Sequence, residues 1–339
     1  MFAKLLAGLK AAGRIPELIR DLASQQSEVQ GNVAMMRFHL ADFSQRSLLL
    51  QGRMAARALP RGQSVRDLSQ VEFRVFSQWG EDGIIEWLVE HVAVPNQRFI
   101  EFGVETFREA NCRFLMQNRN WKGLVFDGNA EYMAALAADP VFWMHDLTAR
   151  TAFVTAENID TLIRDAGFAG PLGILSIDVD GNDYWIWQAI GSVEPAIVIC
   201  EYNPIFGDTR AVTVPYDPAF LRFDAHYSGL YFGSSIAALK QLAARKGYTF
   251  VGTNANGINA FFVKDSLAAP LLRLIETPTA FPSRHRDSRD QHGQLSFAGG
   301  LARLALIRDM SVVDVETGKS LLLSDIEHPY SEAWLRGMA

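Results

Sequence analysis

Apolar residues in the first seventy positions recur every seven. Leu22, Val29, Met36, Phe43 and Leu50 form one series, interleaved with Ile19, Val33, Leu40 and Met54. This spacing predicts long N-terminal helices with a coiled-coil-like seam, in which Gln26 and Ser47 are the two polar members of eleven core positions. The flanking Gln30, Asn32, Arg37, His39, Arg46 and Arg53 are polar. Pro16 suits a first helical turn, and Gly31 falls on the outer face, where it costs about 1 kcal/mol relative to Ala. Such a seam asks for another helix. Self-association into a homo-oligomer is expected, in competition with a helix that packs on its own domain. Ahead of the seam, Phe2, Leu5, Leu6 and Leu9 share a face opposite Lys4, Lys10 and Arg14. That is the pattern of a weak peripheral membrane contact through residues 1–15, or of packing against a neighbouring protein.

After a polar stretch at 60–70, the pattern changes to short apolar runs separated by helix-length segments. Strands are predicted at 98–104, 123–129, 141–146, 173–180 and 196–203, with helices such as 109–118 and 156–166 between them. The runs are apolar without alternation, as in parallel strands covered on both faces. Two more strands, 248–253 and 259–264, flank the turn Asn254-Ala255-Asn256-Gly257 and predict a closing antiparallel hairpin. The expected architecture is α/β, with five parallel strands plus the hairpin. It divides into a helical region 1–70, a central domain 71–268 and a C-terminal arm 269–339.

The 339 residues are 49% apolar and 21% charged, which describes a globular chain. No apolar run is long enough to span a membrane, and no secretory signal is evident at the start. Residues 1–70 carry ten Lys/Arg against five Asp/Glu, and the remainder 22 against 33. A body this acidic is a poor nucleic-acid binder. Two cysteines, Cys112 and Cys200, fall inside regular elements, which argues against a disulfide framework and for the cytoplasm.

Each predicted parallel strand ends in acid: Glu101 and Glu105, Asp127, Asp146, Asp178 and Asp180, then Glu201. In an open α/β sheet, ligands bind beyond the carboxyl ends of the strands, where strand order reverses, so most of these acids should converge on one crevice. One or two are expected only to cap helices. Asp127, at the tip of the second strand, stands where an acid takes the hydroxyls of an adenosine ribose. Gly103 allows close approach at the first strand. Neither Gly-x-Gly-x-x-Gly nor Gly-Lys-Ser/Thr follows it, which disfavours a dinucleotide or a nucleoside triphosphate. A ligand with an adenosine and no phosphate fits what is left. Asp178, Asp180 and Asp183 follow the fourth strand, but the twelfth-position glutamate of an EF-hand is absent. With Glu201 and Asn203 on the next strand, these oxygen donors suit a hard ion such as Mg2+. Helix capping and loop orientation by Asp178 and Asp183 compete with that reading.

Through Ser77-Gln78-Trp79-Gly80-Glu81-Asp82-Gly83, Phe99 to Glu105, Asp127, Ile177-Asp178-Val179-Asp180-Gly181 and the closing hairpin, the sequence resembles the class I S-adenosylmethionine-dependent methyltransferases. More narrowly it is similar to the FkbM type. The resemblance covers about residues 76–265 and implies a Rossmann-like seven-stranded methyltransferase sheet and S-adenosyl-L-methionine as cofactor. It implies Glu101 and Gly103 near the methionine and ribose, Asp127 on the ribose hydroxyls, Asp146 near the adenine and Gln78 near the donor pocket. Many FkbM-type enzymes act on sugar hydroxyls, so the implied acceptor is a saccharide or glycoconjugate. A single glycine in the first motif departs from the two or three that many methyltransferases carry.

The sulfonium methyl is already activated, so such an enzyme aligns a nucleophile and removes its proton. In metal-dependent relatives the ion lies at the fourth and fifth strand ends, which implies Asp178, Asp180, Glu201 and Asn203 here. The candidate catalytic residues are His226, with Asp224 placed to orient it, and Asp178; Tyr202 and Tyr227 stand in reserve. The run Ser283 to Asp290 is rich in forked donors and suits an anionic sugar or phosphate, or solvated surface. A catalytically silent scaffold assembled through its N-terminal helices is the alternative function. A nicotinamide-dependent oxidoreductase is disfavoured by the missing glycines and the antiparallel hairpin.

Overall fold

The computed structural model describes the backbone of residues 2–338 and the side chains of 19–338. The chain divides into two compact units, Met1–Gln51 and Gly52–Ala339. Instead of several N-terminal helices there is one, α1 (Phe2–Ala58), which starts ahead of Pro16. Its seam residues are exposed, from 43% at Val33 to 71% at Phe43. The face formed by Phe2, Leu5, Leu6 and Leu9 lies outside the described side chains.

The second unit carries α2 (Glu81–His91), β1 (Arg98–Phe102), α3 (Arg113–Arg119), β2 (Lys122–Asp127), α4 (Ala130–Ala138), α5 (Pro140–Met144) and β3 (Leu147–Thr151). There follow α6 (Ile159–Asp165), β4 (Gly170–Ile177), α7 (Asp183–Ala189), β5 (Val193–Glu201), β6 (Val212–Thr213), α8 (Arg222–Ala225), α9 (Ile236–Lys246), β7 (Tyr248–Thr253) and β8 (Asn259–Lys264). The last elements are α10 (Asp265–Leu272), α11 (Leu301–Ile307), β9 (Ser311–Asp314), β10 (Ser320–Leu322) and α12 (Glu332–Met338).

The main sheet is seven-stranded and Rossmann-like, in the order β3-β2-β1-β4-β5-β8-β7. Strands β1 to β5 run parallel, and β8 is antiparallel to both β5 and β7. Successive strand residues feed cores on opposite faces. Phe99, Val125, Ile197 and Phe261 belong to one cluster, and Ile100, Leu124, Val198 and Phe262 to the other. Burial on both faces removes the polar alternation a half-exposed strand would show.

The expected third strand at 141–146 is corrected. Asp139 caps the chain there, its carboxylate accepting the Val141 N–H at 2.9 Å, and Pro140 occupies the first turn, so Val141 to Met144 become α5. The strand is the following segment 147–151, a sheet edge whose residues are mostly half-buried or exposed and therefore polar.

The C-terminal segment is bound into the same unit. β9 pairs with β6, the Thr253 N–H donates to the Thr279 carbonyl, and Tyr202 donates its hydroxyl to the Phe281 carbonyl. Buried Arg303 donates to the Ser283 and His285 carbonyls at 2.9 and 3.2 Å.

Candidate active site

Strand order reverses between β1 and β4, and their tips touch there. Gly103 has φ +71°, and a Cβ on it would lie 1.7 Å from the Asp178 carbonyl oxygen. No other residue type permits this approach without moving the backbone. The loop leaving β1 continues in the left-handed region at Glu105, whose N–H donates to Asp127 at 2.7 Å. The other Asp127 oxygen accepts the Asn129 N–H at 2.8 Å. Asp127 thus stands at the tip of β2 beside the crevice, holding the loops on either side.

The Glu105 carboxyl is raised above its ordinary range by partial burial and by the charges of Asp127, Asp180 and Glu109. One oxygen each from Asp178, Asp180 and Glu201 lies within 4.8 Å of the others. Burial, reinforced by Asp180 and Asp183, pushes the Asp178 carboxyl well above its ordinary value. Burial and the same aspartates, with Asp178, do so for Glu201, whose Oε2 is buried without a hydrogen-bond partner. Asp183 accepts the Val179 and Gly181 N–H groups at 2.9 and 3.1 Å and shapes the loop, its carboxyl raised to about 7 by burial.

Sequence reasoning missed the cation already present. Arg222, at the start of α8, donates to Asp180 at 3.0 Å and to the Gly229 carbonyl at 2.6 Å, and its guanidinium lies 3.9 Å from the Phe232 ring centroid. Its charge also reaches Asp178 and Glu201 and offsets part of the rise in both carboxyls. Arg222 stands twenty-one residues beyond the end of β5, where no strand pattern signals its return to the sheet.

Other expected residues take different places. Asp146 precedes β3 rather than ending a strand, and it pairs with Lys122 at 3.2 Å at the amino edge of the sheet, away from the crevice. The carboxyl end of β3 instead leads to Phe153, 48% exposed, whose ring would meet a Cβ on Gly128 at 3.2 Å. Glu101 is buried beneath the crevice, where its two oxygens accept the Asn111 and Cys112 N–H groups at 2.6 and 3.0 Å; burial raises its carboxyl to about 7. Asn203 is buried and locally engaged. Its amide donates to the Leu230 and Phe232 carbonyls at 2.9 Å, and its oxygen accepts the Ile205 N–H at 3.0 Å. Those bonds remove it from the group of oxygens facing one another.

His226 follows α8 and contacts Ser228 through Nδ1 at 2.8 Å; the contact expected with Asp224 is replaced by this one. Partial burial holds its pKa below the ordinary value, so the ring is neutral at pH 7. Gln78 is exposed on a loop clasped from within. There Asp82 accepts the Val75, Phe76 and Ser77 N–H groups at 2.7 to 2.8 Å, while Glu81 accepts from Asn254 and Asn259 of the hairpin at 2.7 and 3.0 Å. Trp79 on the same loop meets His285 edge-on at 5.2 Å, which brings the C-terminal segment to this loop.

No family model and no curated protein sequence matches the chain. Among solved structures it is similar to the O-methyltransferase from Bacillus cereus in complex with SAH, at 13% identity and a TM-score of 0.37, covering 66% of this chain and 91% of that one. It is similar too to the N-terminal domain of EvdMO1 with SAH bound, at 11% identity and a TM-score of 0.36, covering 64% and 94%. A third is an S-adenosylmethionine-dependent methyltransferase from Clostridium acetobutylicum, at 8% identity and a TM-score of 0.34, covering 54% and 90%.

Proposed function

We propose that this chain is an S-adenosylmethionine-dependent O-methyltransferase of FkbM type that acts on a hydroxyl of a saccharide or glycoconjugate. The observation that carries the reading is the Asp127 carboxylate at the tip of β2, beside the β1–β4 switch point. There it can accept from the two hydroxyls of an adenosine ribose. Beside it the loop after β1 has one close-approach glycine rather than a phosphate cradle, in keeping with a donor that carries no phosphate. Phe153 presents an exposed ring on the adenine side of that acid.

Methyl transfer forms a bond from the acceptor oxygen to the methyl carbon, breaks the sulfur–methyl bond, releases S-adenosylhomocysteine and delivers the hydroxyl proton to a base. His226, neutral at pH 7, takes that proton at Nε2 in the tautomer whose Nδ1–H donates to the Ser228 hydroxyl. Asp178 in its ionised form is the second acceptor, because a carboxylate crowded by like charges takes a proton readily. Phe223 and Tyr227, exposed in the same segment, suit the apolar face of a sugar ring. Asp178, Asp180 and Glu201 would hold Mg2+, and the unpartnered Glu201 Oε2 fits that use once Arg222 leaves Asp180. Such an ion lowers the pKa of a bound hydroxyl. The buried free thiols of Cys112 and Cys200 support a reducing, cytoplasmic setting. Among the described residues no helix is long and apolar enough to cross a membrane.

The test is calorimetric titration of the purified chain with S-adenosylhomocysteine, with and without Mg2+, beside Asp127→Ala. Binding that the substitution weakens at least a hundredfold supports the reading and justifies a screen of saccharide acceptors with labelled S-adenosylmethionine. A wild type that binds in neither condition overturns it in favour of a scaffold assembled through α1.

A further inference from the structure

The exposed seam of α1 has a register that selects its own partner. We infer that α1 pairs with α1 of a second copy of this chain as a parallel, in-register, two-stranded coiled coil. Nine apolar seam residues lie on α1, and none is less than 43% exposed. At roughly 60–120 Å2 of apolar area per fully exposed side chain, about 60% of it still open here, two such seams remove on the order of 650–1,300 Å2 from water. A stable protein interface buries about 1,200–2,000 Å2 in all, roughly 60% of it apolar.

Direction and register follow from the polar members. With Ile19, Gln26, Val33, Leu40, Ser47 and Met54 as the a series, a parallel in-register pair sets Gln26 against Gln26 and Ser47 against Ser47. Each polar side chain then meets its own kind and can hydrogen-bond across the seam. An antiparallel pair that matches a to d layers sets Gln26 against Leu50 and Ser47 against Val29, burying each polar group against hydrocarbon. A parallel pair slipped by one heptad sets Gln26 against Ile19 or Val33. Only the in-register parallel pair avoids every such mismatch.

The flanking positions agree. In that pair the successive g-to-e contacts are Gln25–Gln30, Asn32–Arg37, His39–Ser44 and Arg46–Gln51, with no like charges facing. Arg46 is further held by Asp42 of its own helix at 3.0 Å. Gly31, with nothing within 4 Å of an added Cβ, falls at the outer f position. Polar Gln26 and β-branched Ile19 and Val33 at a, with Leu22 and Leu50 at d, favour two strands, against the single β-branched d residue Val29. Met35 and Phe38 fall outside the seam and stay exposed in this pairing.

The experiment uses the full chain in sedimentation equilibrium, with cross-linking of single-cysteine variants. The native Cys112 and Cys200 are buried. The wild type should sediment at twice the 37.7 kDa chain mass. Val33→Glu with Leu40→Glu should sediment at that mass while keeping the wild-type far-ultraviolet dichroism and urea midpoint of the body. Under mild oxidation Gln26→Cys should form a disulfide-linked dimer with itself. Mixed Gln26→Cys and Leu50→Cys chains should give no 26-to-50 product. A monomeric wild type, a trimer or tetramer, or a 26-to-50 cross-link would each overturn the inference. None of these readouts depends on S-adenosylhomocysteine binding, so this pairing and the proposed activity stand or fall separately.

Discussion

Arg222→Met removes the guanidinium beside the acidic group while keeping an apolar stem against Phe232. Breaking one partner out of a buried ion pair costs about 3–5 kcal/mol, and leaving the other carboxyls unneutralised sets the upper part of that range. Asp180 is 65% exposed, however, so water takes over much of its pairing. Losing the guanidinium over the Phe232 ring at 3.9 Å adds about 1 kcal/mol. The expected destabilisation is therefore about 2–3 kcal/mol, and it should depend on pH. Asp178 and Glu201 are raised well above the ordinary carboxyl range, and without Arg222 they rise further. The folded chain then keeps protons that the unfolded chain releases near pH 4, so stability falls as pH rises from there through the folded values. The deficit of the variant should thus grow with pH above the ordinary carboxyl range, as read at about pH 5 and about pH 9. Mg2+ should act in the opposite sense. If the three carboxylates take it once the arginine is gone, a concentration a hundredfold above the dissociation constant restores about 2.7 kcal/mol, whereas wild type gains much less. Urea unfolding at the two pH values, with and without millimolar MgCl2, measures all three effects. A variant within about 0.5 kcal/mol of wild type at both pH values and unmoved by Mg2+ would refute the reasoning.

Gly103→Ala puts a Cβ 1.7 Å from the Asp178 carbonyl oxygen at a φ of +71°, so the tips of β1 and β4 must part. A loss of more than about 3 kcal/mol in urea unfolding is expected, together with loss of S-adenosylhomocysteine binding. Glu101 titrates near 7 in the fold against an ordinary 4.5, so as pH rises between those values the folded chain loses roughly 3 kcal/mol relative to the unfolded one. Glu101→Gln should flatten that part of the stability–pH curve, and should itself cost about 1–3 kcal/mol because its amide group meets a backbone N–H; an unchanged slope would show that Glu101 is not the titrating group. Phe153→Ala should weaken S-adenosylhomocysteine binding about tenfold by calorimetry if its ring covers the adenine, and an unchanged affinity would remove it from the pocket.

Much of the sheet was legible because its strands are buried on both faces, which leaves apolar runs such as Leu124-Val125-Phe126 and Ile197-Val198-Ile199 unbroken by polar residues. The exception was the edge. β3 is half-exposed and reads as Leu-Thr-Ala-Arg-Thr, while the neighbouring Val-Phe-Trp-Met run looked like a strand and is a capped helix. That single shift carried Asp146 to the wrong end of the sheet and hid Phe153. The acids show a different limit. A carboxylate at a strand tip has the same letter whether it faces the crevice, as Asp127 and Asp180 do, or turns back to satisfy buried N–H groups, as Glu101 and Asp183 do. Buried amide groups need partners as strongly as ligands do, so strand-end position alone does not separate the two uses. Backbone donors do not separate them either, since Asp127, Glu101 and Asp183 each accept two; burial does, for Glu101 and Asp183 are buried while Asp127 is half-buried at the strand tip. Glu201 is buried with one oxygen that meets no donor, which is why the cation question turns on Glu201 and on the arginine that approaches it.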